Sequence, residues 1–210
     1  MSPPGPRSRS ALTLFSHLDC PRSHSIRLVL AIKGLPHDLV YVDPANPPSD
    51  LKAAVPSVAL PTLMERDVVL YEARIIAEYV DERFPHPPLL PNDPLGRARA
   101  RLTAHRIDRE WLCVLDWARQ TQPAASALKA REQLRAALAE AEPLFRVAKY
   151  FLSADICMAD CLVLPLLYRL PSIGIPLRSL GAGVEAYAHK LFPTLLFQRT
   201  LSDPERALAV

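Results

Sequence analysis

Phe84-Pro85-His86-Pro87-Pro88-Leu89-Leu90-Pro91 divides the chain into two stretches whose hydrophobic patterns differ in kind. Its four prolines remove four backbone donors and fix φ, so neither a helix nor an inner strand can run through it. Residues preceding a proline are also pushed toward extended geometry. The sequence therefore predicts a stiff, solvated, polyproline-like element that carries one imidazole and two exposed leucines. A flexible linker would be rich in Gly and Ser. A held shape between two domains is a candidate contact surface.

Before this segment, strand and helix signals alternate. Leu12-Thr13-Leu14-Phe15 reads as a short strand, and Pro21 stands at a favourable first position of a helix marked by Ile26, Val29, Leu30 and Lys33 and stopped by Gly34. Leu39 to Val42 reads as a second strand, followed by a connection that the pattern leaves unassigned. Leu63-Met64-Glu65 and Val68 to Tyr71 read as a hairpin turning at Arg66-Asp67. A helix from Glu72, with Ile75, Ile76, Tyr79 and Val80 on one face, runs until Pro85 ends it. A βαβ unit followed by ββα implies a mixed four-stranded sheet with helices packed on it.

After the segment no strand is expected. A long amphipathic helix spans Arg97 to about Gln120 and carries Leu102, Ile107, Trp111, Leu115 and Trp117. Pro123 breaks it, and a second helix runs from Ala127 to Phe145. Asp155 to Leu170, almost wholly apolar past Asp160, reads as a buried central helix. Shorter helices are expected at Val184 to Leu191 and near Leu195. The organisation is thus a tail over residues 1–10, an α/β domain over 11–84, a Pro-rich interdomain segment over 85–96 and an all-helical domain over 97–210.

Composition narrows the function classes. With 210 residues the chain can bury a sizeable core. A net charge of +3 without a dense Lys/Arg block gives no footprint for direct nucleic-acid binding. No apolar run is long enough to cross a bilayer. Residues 1–10, with Pro3, Pro4, Pro6, Arg7 and Arg9, lack the apolar centre of a signal peptide and read as disordered. Cys20, Cys113, Cys157 and Cys161 show no metal-ligand spacing, so no metal site is expected, and reduced thiols in a cytoplasm are.

Phe15-Ser16 with Cys20-Pro21-Arg22-Ser23, Val58-Ala59-Leu60-Pro61-Thr62-Leu63 and Leu70-Tyr71-Glu72 resemble the thioredoxin-like half of the glutathione transferase superfamily. Phe151-Leu152-Ser153 with Ala159-Asp160 resembles the buried helix of its all-helical half. Within that superfamily several motifs resemble the stringent starvation protein A family. They are Asn46-Pro47-Pro48, Asp81 through Leu89, His105-Arg106-Ile107 with Trp111, and Arg169 through Ile175. That bacterial family keeps the transferase fold and acts as an RNA-polymerase-associated transcription regulator. The resemblance implies a homodimer whose surface at Phe84, Pro85, His86, Pro87 and Pro88 contacts polymerase holoenzyme with its sigma factor, in stress or stationary phase, with no cofactor required. Asn92-Asp93 stands where members tend to carry an apolar residue and a tyrosine.

A reading from another class keeps Cys20 as the nucleophile of a glutathione-dependent transferase or thiol reductase. Cys20 precedes Pro21 at a helix N-terminus, where free N–H groups favour a thiolate, and Arg22 adds a nearby positive charge. Ser23 occupies the place of a second cysteine, which excludes a dithiol mechanism. Leu60 and Pro61 match the cis-proline turn that offers backbone groups to glutathione, although the fold needs that turn in any case. Glu72-Ala73 matches the acidic-hydroxyl pair that holds the γ-glutamyl carboxylate, and Ala73 has no hydroxyl. A lost hydrogen bond to a charged group costs about 1.5–3 kcal/mol, so glutathione binding is impaired. A third reading makes Cys20 a redox sensor independent of glutathione. Cys113 and Cys161 are expected as small core hydrophobes, Cys157 as a poor helix cap, and Trp111 and Trp117 as core or interface residues. The charged run His105, Arg106, Asp108, Arg109 and Glu110 reads as a solvated face or as part of a dimer cleft.

Overall fold

The computed structural model describes residues 12–120 and 123–208. The disordered tail expected over residues 1–10 lies outside them. Strands β1 (Leu12–Ser16), β2 (Asp38–Tyr41), β3 (Thr62–Glu65) and β4 (Val68–Tyr71) form one sheet in the order β2-β1-β3-β4. The β1–β2 pair is parallel, and β1–β3 and β3–β4 are antiparallel. This is the mixed four-stranded sheet implied by the pattern.

Side chains alternate across β1, so Leu12 and Leu14 enter one core while Phe15 enters another. The larger core lies under helices α1 (Pro21–Ile32) and α3 (Ala73–Arg83). The smaller one joins Phe15 and Val42 to Leu51 and Val55, which belong to or follow α2 (Ser49–Ala54). That helix fills the connection left unassigned by the pattern, because six residues are too few to show a period.

The remaining elements are helical. Helices α4 (Pro94–Arg106) and α5 (Cys113–Ala118) are joined without a break by a π-helical stretch, Ile107–Leu112. Asp93 caps α4 by accepting the Gly96 N–H at 2.7 Å, with Pro94 at the first position. Helix α6 (Ala124–Glu140) ends earlier than expected. Pro143 cannot supply a helical N–H, and the chain tightens into a 3₁₀ turn over Glu142–Arg146. Helix α7 (Met158–Arg169) is buried along its whole length, as expected of the central helix. It starts at Met158 instead of Asp155 because Asp160 accepts the Cys157 N–H at 2.8 Å and fixes the helix start there. Helices α8 (Ala182–Leu191), α9 (Leu195–Gln198) and α10 (Asp203–Arg206) complete the chain. No helix of the described residues is long and apolar enough to cross a membrane.

Helix α1 lies between the sheet and α7, and this position explains its composition. Ser23, His24, Ser25 and Arg27 are buried beside Ile26, Val29 and Leu30. Polar groups in such a place must be paired, and all but Arg27 Nε find a partner among the described residues. Arg27 Nη2 donates to both carboxylate oxygens of Glu205, at 2.7 and 2.8 Å. Arg169 also donates to Glu205, and its Nε reaches Asp19 Oδ1 at 3.2 Å. Glu205 is itself set by a capping box with Ser202, whose hydroxyl donates to the Leu18 carbonyl at 2.5 Å. One buried carboxylate from α10 thus bridges an arginine of the sheet-bearing part and another of the helical part, with Asp19 supplying a second negative charge to Arg169. Such a clasp costs desolvation, which offsets much of its electrostatic attraction.

Candidate functional site: an anchored proline loop and an altered thiol cleft

The proline loop begins where α3 ends. The Phe84 N–H still bonds to Val80 O at 3.0 Å, and Pro85 allows no further turn. Lys33, the residue that caps α1, then reaches under the loop. Its Nζ donates to Asp81 Oδ1 at 2.6 Å, to Phe84 O at 2.7 Å and to Pro87 O at 2.5 Å. All three ammonium hydrogens are used, which suits a Lys head group that is fully buried. Asp81 Oδ1 also accepts the Leu89 N–H at 2.8 Å, and Leu89 O accepts the Met158 N–H of α7 at 2.9 Å. The loop is therefore fastened at Phe84, Pro87 and Leu89. Pro85, His86, Pro87 and Pro88 remain exposed between these points, and Phe84 is half-buried. The His86–Pro87 peptide is cis.

One expectation is overturned. Leu89 and Leu90 are buried, at 2% and 3% exposure, not exposed. Apolar side chains directly after a stiff segment are placed where the segment points them, and the Leu89 backbone bonds turn both into the core shared with α7. The solvated part of the octapeptide is thus confined to its first half and Pro91.

Beyond Pro88 the surface dips into a groove of about 620 Å3. Leu89 and Leu90 form part of its wall, α4 contributes Arg99 and Leu102, and the turn before α7 contributes Phe151 and Leu152. Cys157 also lines it, and burial, helped by the Asp160 carboxylate, pushes that thiol up to about 12. The Cys157 Sγ donates to Phe151 O at 3.6 Å, so it behaves as a structural group.

The thiol cleft sits at one end of the sheet. Phe15, Thr62 and Tyr71 face one another across β1, β3 and β4. That register places the segment from Ser16 to Cys20, the Leu60–Pro61 turn and Glu72-Ala73 at the same sheet end. The Leu60–Pro61 bond is cis, and Glu72 has φ 71°. Glu72 is exposed and makes no capping bond to α3, while Ala73 is buried. The Glu72 carboxylate is therefore not used as a cap, and no side-chain hydroxyl stands at position 73.

Cys20 occupies the N-cap of α1 and is half-buried. The expected help from Arg22 is not delivered. Arg22 Nε donates to Asp108 Oδ1 at 2.9 Å and Nη1 to Asp116 Oδ2 at 2.6 Å, and Nη2 points to Cys113 Sγ at 3.4 Å. Burial works against the Arg22 charge, but Asp116 and Asp108 outweigh it and raise its pKa. Two carboxylates thus occupy this guanidinium, and Cys113 is a half-buried acceptor in the cleft instead of a core hydrophobe. The π-helical stretch carries Asp108, and one more residue per turn there re-aims its side chains relative to an α-helix. Ser23 is buried and accepts the His17 N–H at 3.1 Å, so it holds the loop before Cys20. Trp111 is in the core, whereas Trp117 is 57% exposed. Arg106 pairs with Glu110 at 3.0 Å on the solvated face expected of the charged run.

Sequence reasoning missed Lys33 and Asp81 as the anchors of the loop. Their signal was present, since Lys33 stands on the apolar face of α1 and Asp81 directly follows Val80 on α3. A lone Lys and a lone Asp on the buried faces of two neighbouring helices point to a buried pair. Glu205 gave no comparable signal.

Comparison with known proteins agrees with this geometry. A family model described as the N-terminal domain of glutathione S-transferase matches residues 19–83. A stringent starvation protein A homolog of Haemophilus ducreyi is 38% identical over 92% of this chain and 91% of its own length. One from Coxiella burnetii is 40% identical over 95% of this chain and 96% of its own. Among solved structures, glutathione transferase Omega 3C from Trametes versicolor superposes with a TM-score of 0.82 at 23% identity, covering 94% of this chain and 87% of that one. The last likeness concerns the fold.

Proposed function

The chain belongs to the stringent starvation protein A family, and from that premise we propose that it regulates transcription by docking on RNA polymerase holoenzyme with its sigma factor. The observation that carries this reading is the anchoring of the loop. Lys33 satisfies two of its carbonyls from below, so Pro85, His86 and Pro87 are presented outward in one shape without any ligand. A pre-ordered surface loses little conformational freedom on binding. His86 is exposed and its ring makes no hydrogen bond with a described residue, which leaves both ring nitrogens for a partner. The groove beyond Pro88 extends the apolar contact area. The protein works in the cytoplasm as a homodimer. Exposed Tyr71 and Ile75 support that assembly, since they lie on β4 and on α3, the helix that the Arg101–Glu78 pair at 2.8 Å joins to α4.

A glutathione-dependent activity at Cys20 is the second reading, favoured by the half-buried thiol at the α1 N-cap. It is weakened by Ala73 and by the engagement of Arg22 with Asp108 and Asp116. Co-purification from a bacterial lysate separates the two. The regulator is retained with polymerase subunits and flows through immobilised glutathione. Retention on glutathione with no polymerase would reverse the assignment.

A further inference from the structure

A second cavity, of about 760 Å3, lies in the helical part between the C-terminal end of α7, α8 and α10. Its volume is within the range of small-molecule sites, roughly 300–1,000 Å3. Its floor is Tyr168, which meets Phe192 edge to face with centroids 5.1 Å apart. The rings of Pro171, Pro176 and Pro193 add flat apolar walls. Tyr168 is only 6% exposed, yet its hydroxyl has no hydrogen-bond partner among the described residues and is not sealed from solvent. A hydroxyl in that position opens on the cavity and is free to donate to a ligand there.

The rim is cationic. Arg178, His189 and Arg206 are exposed and line the cavity, and neither arginine forms an ion pair with a described residue. Glu185 supplies the one carboxylate of the lining, which leaves a net charge of +1 with His189 neutral. Flat apolar walls, a buried donor and two arginine forks at one rim are complementary to a ring that carries an anionic group.

We propose that this cavity binds a small aromatic anion, a carboxylate, sulfonate or phosphate monoester on a planar ring. The ring packs on Tyr168, Phe192 and the prolines. The anionic group accepts hydrogen bonds from Arg178 and Arg206, and the Tyr168 hydroxyl donates to the same group. The site is independent of the Pro-His-Pro surface and of the thiol cleft.

The test uses the full chain and the probe 8-anilinonaphthalene-1-sulfonate, with neutral N-phenyl-1-naphthylamine as its uncharged counterpart. Saturable binding of the sulfonate is expected, with displacement by phenyl phosphate and not by inorganic phosphate at equal concentration. Because Arg178 and Arg206 are exposed, the Arg178→Ala, Arg206→Ala double variant retains the fold. It should bind the sulfonate about tenfold more weakly while its affinity for the neutral amine is unchanged. Tyr168→Phe should cause a smaller loss. The proposal is overturned if the sulfonate does not bind, if the double variant binds it as tightly as the wild type, or if the neutral amine binds equally well.

Discussion

Lys33 Nζ lies 2.6 Å from Asp81 Oδ1 beneath the proline loop, with the lysine head group fully enclosed. Breaking a buried pair by removing one partner leaves an uncompensated charge, which costs about 3–5 kcal/mol. Lys33→Met should therefore lower stability by that order in urea denaturation. It should also raise amide exchange at Leu89, whose N–H loses its properly held acceptor. Unchanged exchange at Leu89 would show that the loop is held by other contacts.

The clasp around Glu205 predicts a pH dependence. His24 Nε2 lies 2.8 Å from Thr200 Oγ1, whose own proton goes to Phe197 O at 2.7 Å. The imidazole must then donate from Nε2 and accept at Nδ1 from Arg169 Nη1 at 3.3 Å, so it is neutral. Burial, with Arg27 and Arg169 alongside, holds its pKa well below the ordinary histidine value of 6.5. A depressed histidine pKa means that the unfolded chain binds more protons in the window below about 6.5. Its contribution is complete above that pH and is lost as pH falls below it. The melting temperature should drop between pH 7.5 and 5.5, and less in a His24→Gln variant.

Removing the clasp carboxylate should be more damaging than removing any surface acid. Glu205→Ala leaves Arg27 and Arg169 buried without their shared partner, and a loss of about 3–5 kcal/mol is expected. Glu110→Ala, on an exposed i,i+4 pair, should change stability by no more than about 0.5 kcal/mol. Chemical denaturation of the two variants side by side checks the ordering.

Thiol reactivity should follow enclosure. Cys157 is pushed up to about 12 and Cys161 is raised well above its ordinary value, each first by burial and then by the Asp160 charge. Iodoacetamide at pH 8 should spare both in the native protein and modify only Cys20 and Cys113, as read by peptide mass spectrometry. Early labelling of Cys157 would mean that the turn before α7 opens.

The residues made some parts of this molecule legible and not others, for physical reasons. Short alternating runs and Gly or Pro stops announced β1, α1, the Arg66-Asp67 hairpin and α3, because local patterning decides those elements. Helix α2 and the early end of α6 depended on a short span and on Pro143, where local signals are weak or compete. The exposed Pro85-His86-Pro87 face followed from proline chemistry. The burial of Leu89 and Leu90 did not, since it is set by hydrogen bonds to Asp81 on α3 and to Met158 on the distant α7. At the thiol cleft the missing hydroxyl of Ala73 was readable from one residue. The diversion of Arg22 to Asp108 and Asp116 was not, because it joins positions far apart in the chain.

Docking through Pro85 and His86 is tested by the affinity of purified RNA polymerase holoenzyme for the wild type and for a Pro85→Ala, His86→Ala variant, measured side by side. Both side chains are exposed, so the melting temperature should be unchanged. Binding should weaken by at least about tenfold, as expected for the rigid centre of a contact surface. Equal affinity of the two proteins for holoenzyme would contradict the assignment of this loop.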